Sequence, residues 1–148
     1  MQRARTLLLV LAAAVLPSAC GGPRIPAPPR PVIIADPEQL AAAFYRRMNA
    51  EDLEGVMALM TRDPVLVEPF SRPDTPTTHV GYRDVATFFA NAFRTRDDQV
   101  VPEYIRAEAG GVTVGWSMQG ADGTGMSGVT RLELRQGLIA HVLVQPRE

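Results

Sequence analysis

The chain has 148 residues, one cysteine and a formal net charge of −1, from 15 basic and 16 acidic residues. Every basic residue is an arginine, and the arginines are scattered among the acids without forming a basic stripe, which predicts that nucleic acid is not a partner. The single cysteine excludes an intramolecular disulfide.

The first 19 residues have the pattern of a signal peptide. Arg3 and Arg5 precede an apolar stretch, residues 7–16, that is too short to cross a bilayer as a helix. Small residues then precede Cys20, which resembles the lipobox of bacterial lipoproteins. The resemblance implies acylation of Cys20 and a periplasmic protein that is lipid-anchored to the outer membrane. Ordinary release by signal peptidase is the alternative, because Pro17 stands where the lipobox usually has Leu.

Residues 20–35 are expected to form an extended tether between the membrane and the domain. They contain five prolines and no helical period. Ile33 and Ile34 either form a short strand or pack where the tether meets the domain. The remaining residues, 36–148, suffice for one small domain with a single core.

Two helices are predicted at the start of this domain. Asp36 can cap the first, Pro37 fits its first turn, and apolar residues recur every four positions until about Asn49. Asp52 caps a second, shorter helix whose apolar face extends to Met60. Residues 62–64 are expected to end this helix.

An apolar run at residues 64–70 is interrupted only by Glu68 and predicts a buried strand. Because burial disfavours the charged form of a carboxyl group, we expect the pKa of Glu68 to be raised, which would make it a usable proton acceptor. Residues 69–80 contain three prolines and are expected to form a loop that leaves His79 exposed.

A third helix is predicted from about Tyr82 to Arg94. Its buried stripe consists of Val85, Phe88, Phe89, Ala92 and Phe93. Its polar residues, which are expected to face away from that stripe, are Arg83, Asp84, Thr87, Asn91 and Arg94.

From Gln99 onward the hydrophobic period changes to two, which is typical of strands with one buried face. Turns at 120–125 and 136–137 separate two later strands, 126–135 and 138–144. Helices followed by antiparallel strands predict an α+β domain with the helices on one face of the sheet. The clearest alternation is in the strand that contains Val112, Val114, Trp116 and Met118.

Several stretches of the domain resemble the nuclear-transport-factor-2-like superfamily, in the form of its ketosteroid isomerases and SnoaL-like polyketide cyclases. The resemblance covers about residues 38–145 and implies a cone in which three N-terminal helices are wrapped by a curved antiparallel sheet around one deep pocket. This fold serves many activities, so it implies no particular reaction. The stretches are residues 49–59, Val67-Glu68-Pro69, Gly81 with Phe88-Phe89-Ala90-Asn91, 113–120 and 135–139.

The resemblance places Glu68 at the position of the isomerases' catalytic aspartate. Phe44 and Phe89 stand where those enzymes have tyrosines, and Thr130 stands where they have a protonated aspartic acid. Loss of one oxyanion donor costs about a hundredfold to a thousandfold in rate, so isomerisation by that mechanism is disfavoured. Tyr45 is expected to point about 100° away from Phe44 on the helix and therefore not to replace the missing tyrosine.

Two functions remain open. The preferred one is binding of a small, mostly apolar molecule without chemistry, or an adaptor role. The alternative is an isomerase-, cyclase- or lyase-type enzyme with Glu68 as general base. Glu68 itself could be a catalytic base, a ligand anchor or a structural carboxylate. The candidate ligand-binding residues are Phe44, Phe70, Phe89, Trp116, Met118 and Thr130.

The sequence predicts no metal site and no cofactor. His79 and His141 lack the spacing of metal ligands, and His141 is expected to face outward because it alternates with inward-facing residues. By resemblance, the outer face of the sheet, which carries Val129 and Leu143 among polar residues, is expected to pair two copies into a homodimer.

Overall fold

The computed structural model describes residues 22–72, 74–120 and 124–147. The signal peptide and Cys20 lie outside these ranges, so export and acylation stay predictions. None of the helices in these ranges is long and apolar enough to cross a membrane.

The three helices predicted from the sequence are present. α1 spans Pro37–Asn49 and α2 spans Leu53–Ala58, and each begins after an aspartate whose side chain accepts hydrogen bonds from N–H groups of the first turn. α3 spans Tyr82–Thr95 and follows Gly81, whose φ of 85° favours a residue without a Cβ. α2 is shorter than expected, because Met60 already belongs to the first strand.

Six strands in the described residues form one mixed sheet. Their bounds are β1 Met60–Glu68, β2 Thr77–Val80, β3 Val100–Glu108, β4 Gly111–Gln119, β5 Gly125–Arg135 and β6 Leu138–Pro146. The strand order is β2-β1-β6-β5-β4-β3. β1 and β6 run parallel, whereas the other neighbours are antiparallel. The expected antiparallel sheet is therefore wrong at one pair, where the meander of β3 to β6 returns to β1.

The first two strands differ from what the sequence predicted: β1 begins earlier than expected, and β2 lies where a loop was expected. Residues 62–64, expected to end a helix, lie within β1. The pairing of β1 with β6 shifts register between Met60 and Val65, so Pro64 lies where the regular ladder is interrupted. β2 is a four-residue edge strand within the predicted loop. Because this strand is short and follows prolines, the alternation of its inward and outward side chains is not recognisable in the sequence.

The core lies between one face of the sheet and the helices. Leu40 and Phe44 of α1, Val85 of α3, and Leu66 and Leu132 of the strands are all fully buried or nearly so. Burial of such a side chain contributes about 1.5–3 kcal/mol. Hydrophobic burial therefore holds α1 and α3 against the inner face of the sheet.

The Pro-rich N-terminal segment, residues 22–35, packs along the domain. It contains no helix or strand, but Ile25 and Ile34 pack against the core. The N–H of Val32 donates to the carbonyl of Ala58 at 2.8 Å, and the Tyr82 hydroxyl lies 3.1 Å from the carbonyl of Pro26. Of the two alternatives for Ile33 and Ile34, packing against the domain is the one observed for Ile34. That residues 20–35 connect the domain to a membrane stays a prediction.

Candidate functional site

The sheet, α1 and α3 enclose a cavity of about 520 Å³. Small-molecule sites occupy roughly 300–1,000 Å³ and are mostly apolar. Aromatic rings form much of the wall, and Phe89 lies at their centre, with ring centroids 6.1 Å from Phe44, 5.4 Å from Phe88 and 5.9 Å from Phe93. Such contacts hold the rings in fixed orientations, so this part of the wall is preformed.

All six candidate ligand-binding residues line this cavity. Phe70 lies at its rim, with 46% of its surface exposed, and the other five are buried or partly buried. That they contact a ligand stays a prediction. The six are Phe44, Phe70, Phe89, Trp116, Met118 and Thr130.

Glu68, the last residue of β1, is fully buried but does not itself line the cavity. One carboxylate oxygen accepts the backbone N–H groups of Phe70 at 2.5 Å and Ser71 at 3.0 Å, and the other lies 3.1 Å from Nε2 of His79. The carboxylate therefore fixes the turn that follows β1 and holds the His79 ring.

The pKa of Glu68 is lowered, whereas the sequence predicted that it would be raised. Burial raises this pKa, but hydrogen bonds from Ser71, His79 and the N–H of Phe70 together outweigh burial. The expectation was wrong because burial was considered without the donors that the following turn and β2 provide. A carboxylate in this state is a weaker base than the enzyme hypothesis assumed.

His79 is not the exposed loop residue that the sequence predicted. It lies on β2 opposite Leu66 of β1, its side chain is 15% exposed, and its ring lines the cavity. Opposed residues of antiparallel strands point to the same face, so pairing with β1 turns His79 inward with Leu66. Its Nδ1 lies 3.3 Å from a carboxylate oxygen of Asp84, and its ring centroid is 5.0 Å from that of Phe88.

One polar row of α3 also faces the cavity, contrary to expectation. Asp84, Thr87 and Asn91 were expected to face away from the buried stripe, yet all three are lining residues, as is Thr95. Their spacing of three or four residues defines one helix face. The cavity therefore lies against the boundary between the polar and apolar faces of α3.

A neutral polar cluster lies on the part of the cavity wall that α1, β4 and β5 form. The indole Nε1 of Trp116 donates to the Thr130 hydroxyl at 3.0 Å, and the Thr130 side chain is hydrogen-bonded to the hydroxyl of Tyr45. Burial raises the pKa of Tyr45 to about 12, and the Thr130 hydrogen bond offsets only part of that rise. Tyr45 is therefore neutral at physiological pH.

Tyr45 lines the cavity together with Phe44, so the expectation that it points elsewhere is wrong. The two rings meet edge to face with centroids 5.5 Å apart. The buried face of α1 is two residues wide because the helix packs against both β3 and β4. The sequence did contain a signal for this wide buried face, because the two adjacent aromatic residues follow the small residues Ala41 and Ala43. Both alanines are buried in the structure.

A charged pair lines the cavity beyond the C-terminal end of α3. Nε of Arg96 lies 2.8 Å from Oδ1 of Asp98, and a terminal nitrogen of Arg96 lies 3.5 Å from the side-chain oxygen of Asn49. Asn49 also bonds the backbone of Val100 in both directions, at 2.8 and 3.0 Å. These contacts fix Arg96 between the end of α1 and the start of β3.

His141 lies on the other face of the sheet, as predicted. Its Nδ1 is 3.4 Å from a carboxylate oxygen of Glu133 on the neighbouring strand, and it is not a lining residue. In the described ranges, no group of three or more His, Cys, Asp and Glu residues is arranged to hold a metal ion.

The sequence profile of the SnoaL-like domain matches residues 41–142. No curated protein matches the chain in sequence. A Kribbella flavida structure provisionally named a ketosteroid isomerase is 21% identical, with a TM-score of 0.63, and the match covers 75% of this chain and 77% of that one.

Two further structures are similar at lower identity. A Sinorhizobium meliloti protein provisionally named a polyketide cyclase is 15% identical, with a TM-score of 0.62, over 72% of this chain and 94% of that one. TerC, co-crystallised with polyporic acid, is 18% identical, with a TM-score of 0.64, over 76% of this chain and 92% of that one. These likenesses confirm the predicted nuclear-transport-factor-2-like fold.

Proposed function

We propose, from the premise that this chain belongs to the SnoaL-like domain family, that it binds a small, mostly apolar molecule in its cavity. In this proposal an oxygen atom of the molecule accepts a hydrogen bond from Tyr45. The co-crystallisation of TerC, which shares the fold, with polyporic acid is compatible with such a role.

The observation that carries the proposal is a buried, uncharged cluster of Tyr45, Thr130 and Trp116, all three of which line the apolar cavity. The indole N–H donates to Thr130. The Thr130 side chain is also hydrogen-bonded to the Tyr45 hydroxyl, and each hydroxyl can both donate and accept. In the proposed complex Thr130 donates to the Tyr45 oxygen, and the Tyr45 hydroxyl donates to the ligand. Donation along such a chain strengthens its last donor.

The cavity provides the apolar complement to that donor. Its volume of about 520 Å³ and its aromatic wall suit a body of one or two rings or an alkyl chain. Transfer of that body from water contributes about 25 cal/mol per Å² of apolar surface. Apolar burial therefore provides affinity, and Tyr45 orients the molecule.

Trp116 is the only tryptophan of the chain and lines the cavity, so its fluorescence reports binding directly. With 2-octanone as the probe, we expect saturable quenching or a spectral shift. Tyr45→Phe should weaken binding about threefold to tenfold through loss of one hydrogen bond. Tyr104→Phe is the matched control, since Tyr104 is a partly exposed residue that does not line the cavity.

Equal affinity of the wild type and Tyr45→Phe would contradict the role of Tyr45. Absence of binding by 2-octanone, together with absence of any co-purified molecule in native mass spectrometry, would contradict the binding function itself.

The second candidate is an isomerase-, cyclase- or lyase-type enzyme, and one observation favours it. His79 and Tyr45 line the same cavity, so a proton-transferring group and a hydrogen-bond donor face one space. In this version His79 transfers the proton and Glu68, 3.1 Å away, positions its ring. Glu68 as the direct base is less favoured, because its pKa is lowered and it does not line the cavity.

Deuterium exchange distinguishes the two candidates. If His79 abstracts protons next to a carbonyl, 2-octanone incubated with the protein in deuterated buffer gains deuterium there, and His79→Gln abolishes the gain while binding persists. If the protein only binds, the exchange rate equals that of buffer alone. The histidine on the outer face provides the control, His141→Gln.

Anchoring through acylated Cys20 to the periplasmic side of the outer membrane is also part of the proposal. Because the N-terminal segment packs on the domain from Ile25 onward, few residues would separate the domain from the lipid. Fractionation of the wild type and Cys20→Ala tests this: we expect the wild type in the membrane fraction and the variant in the periplasm. Equal solubility of both would contradict it.

We further propose that the outer face of the sheet pairs two copies into a homodimer. Val129 and Leu143 on this face are only partly buried in the single chain. Light scattering at tens of micromolar should give twice the mass of the chain, and Leu143→Arg should give the monomer. A monomeric wild type would contradict the proposal.

A further inference from the structure

The indole of Trp116 lies over a glycine of the neighbouring strand. Trp116 on β4 is directly opposite Gly128 on β5, and both residues are buried. Opposed residues of antiparallel strands point to the same face of a sheet. A Cβ at Gly128 would be 2.3 Å from Cζ2 of Trp116 and 2.8 Å from Cε2. Because carbon atoms in contact are separated by about 3.5–4.0 Å, the indole fits here only while residue 128 has no side chain.

The backbone conformation of residue 128 does not itself require glycine. Among the glycines that the structure describes, positive φ angles are found at Gly81, Gly110 and Gly137, and not at Gly128. Glycine in the interior of a strand packs no side chain and weakens the strand. Space for the indole is therefore what the glycine provides.

Two contacts fix the indole along β5. Its Cζ2 lies over Gly128, and its Nε1 donates to the hydroxyl of Thr130 at 3.0 Å. Residues two apart in a strand point to the same face, so Gly128 and Thr130 are successive inward positions. The indole therefore reaches from one to the other.

The indole also lies between Gly128 and the cavity, because Trp116 lines the cavity and Gly128 does not. A methyl group at Gly128 would have to push the ring toward the cavity by roughly 1 Å to restore normal contact. It could not avoid the ring by a shift toward β6, since the carbonyl oxygen of Gln145 would be 2.6 Å away on that side. Gly128 therefore determines how far the indole projects into the cavity.

We propose that Gly128 is a specificity-determining residue of the cavity, which holds the indole back and so admits a ligand that is branched beside its oxygen atom. This inference rests on the proposed binding function, in which that oxygen accepts a hydrogen bond from Tyr45. The group next to the oxygen then lies near the indole, because Thr130 is hydrogen-bonded to both Tyr45 and Trp116.

Two isomeric ketones test the proposal in the wild-type protein. 2-Octanone is linear, whereas 3,3-dimethyl-2-hexanone has the same atoms but carries two methyl groups beside its carbonyl. We expect the wild type to bind the branched ketone at least as tightly, because that ketone has fewer rotatable bonds to order on binding. A wild type that binds the linear ketone about tenfold more tightly would overturn the inference.

Gly128→Ala should exclude the branched ketone. The ratio of the two dissociation constants, branched over linear, should rise about tenfold in calorimetric titrations, and the fluorescence of Trp116 in the ligand-free protein should change. The matched control is Gly115→Ala, because a Cβ at Gly115 would be 2.1 Å from the ring of Tyr104 on the outer face of the sheet. This control introduces a similar collision away from the cavity, so its ratio should equal that of the wild type.

A smaller ring should reverse the effect. Phenylalanine is shorter than tryptophan, so in the double variant Gly128→Ala with Trp116→Phe the added methyl group has room and the ratio should return to that of the wild type. Trp116→Phe alone leaves space that one branch of the ligand can fill, so it should favour the branched ketone about fourfold relative to the wild type. Thermal unfolding shows whether each variant is folded, and Trp116→Phe alone decides the question if Gly128→Ala does not fold.

An unchanged ratio in Gly128→Ala, an equal change in Gly115→Ala, or a raised ratio that persists in the double variant would overturn the inference. If Gly128→Ala does not fold, an unchanged ratio in Trp116→Phe would overturn it. The proposed binding function would still stand in these cases if 2-octanone binds in a Tyr45-dependent manner. If neither ketone binds to the wild type, both the inference and the proposed function fail.

Discussion

Two polar clusters lie against the same apolar cavity, and the pKa values of the buried acids in them shift in opposite directions. Burial raises the pKa of Tyr45 to about 12, because the single hydrogen bond with Thr130 opposes it only partly. Burial also acts to raise the pKa of Glu68, but several hydrogen-bond donors reverse the direction. The donors around a buried acid, and not its burial alone, decide which form is favoured.

This contrast also separates their roles. Glu68 accepts bonds from backbone N–H groups and from His79, so it stabilises the turn after β1. Tyr45 lines the cavity and is hydrogen-bonded to the Thr130 side chain, so its hydroxyl is placed to contact a bound molecule. The cluster of Glu68 and His79 therefore has mainly a structural role. The cluster of Tyr45, Thr130 and Trp116 is the better candidate for ligand recognition.

The largest expected effect is the loss of stability in Glu68→Ala. The substitution leaves two backbone N–H groups and the His79 ring without their acceptor, and breaking a buried pair of this kind costs about 3–5 kcal/mol. Urea unfolding should show this loss in the free energy of unfolding. Glu133→Ala is the control, since its partly exposed pair with His141 should contribute less than about 1 kcal/mol. A loss of less than 1 kcal/mol for Glu68→Ala would show that the carboxylate does not hold the turn.

Thr130→Val should have the next largest effect, because it leaves the buried N–H of Trp116 without an acceptor. We expect a loss of about 1–3 kcal/mol in the free energy of unfolding and a change in the fluorescence of Trp116. Thr113→Val, on the outer face of the same sheet, is the matched control. An unchanged stability and spectrum in Thr130→Val would contradict the hydrogen bond between Trp116 and Thr130.

The pH dependence of stability tests whether the pKa of Glu68 is lowered in the folded protein. Its pKa in the folded protein lies below the ordinary value of 4.5, so the folded state favours the charged form. The stability that its ionisation contributes is present above pH 4.5 and is lost as pH falls through the lower, folded-state pKa. The difference in free energy of unfolding between the wild type and Glu68→Gln should therefore be constant near neutral pH and shrink under acid conditions. A difference that grows on acidification would mean that the pKa is raised.

The smallest effect concerns Tyr45 at high pH. Because its pKa is raised to about 12 in the folded protein, from an ordinary value of 10.0, the contribution of its neutral form to stability is present below pH 10 and is lost as pH rises through about 12. Ultraviolet titration of the wild type should show a tyrosine that ionises near pH 12 and is missing in Tyr45→Phe. Ionisation of Tyr45 near pH 10 would contradict its burial in the neutral cluster.

Much of the architecture could be read from local patterns. Asp36 and Asp52 cap α1 and α2 as predicted, and the alternation through Val112, Val114 and Trp116 gives a strand with one buried face. Capping and periodicity depend on residues a few positions apart, so they can be recognised without the fold. The family resemblance added the cavity and its six aromatic, methionine and threonine candidates, which do line it.

The sequence by itself determined the three helices, the alternating strands of the C-terminal half and the apolar faces that pack together. Only the tertiary structure decided the chemistry of the cavity wall. Pairing of β2 with β1 turns His79 inward, the packing of α1 across two strands brings Tyr45 to Thr130, and the donors around Glu68 reverse the expected direction of its pKa. Each of these depends on partners far away in the chain or on the exact path of a turn, and no local pattern contains that information.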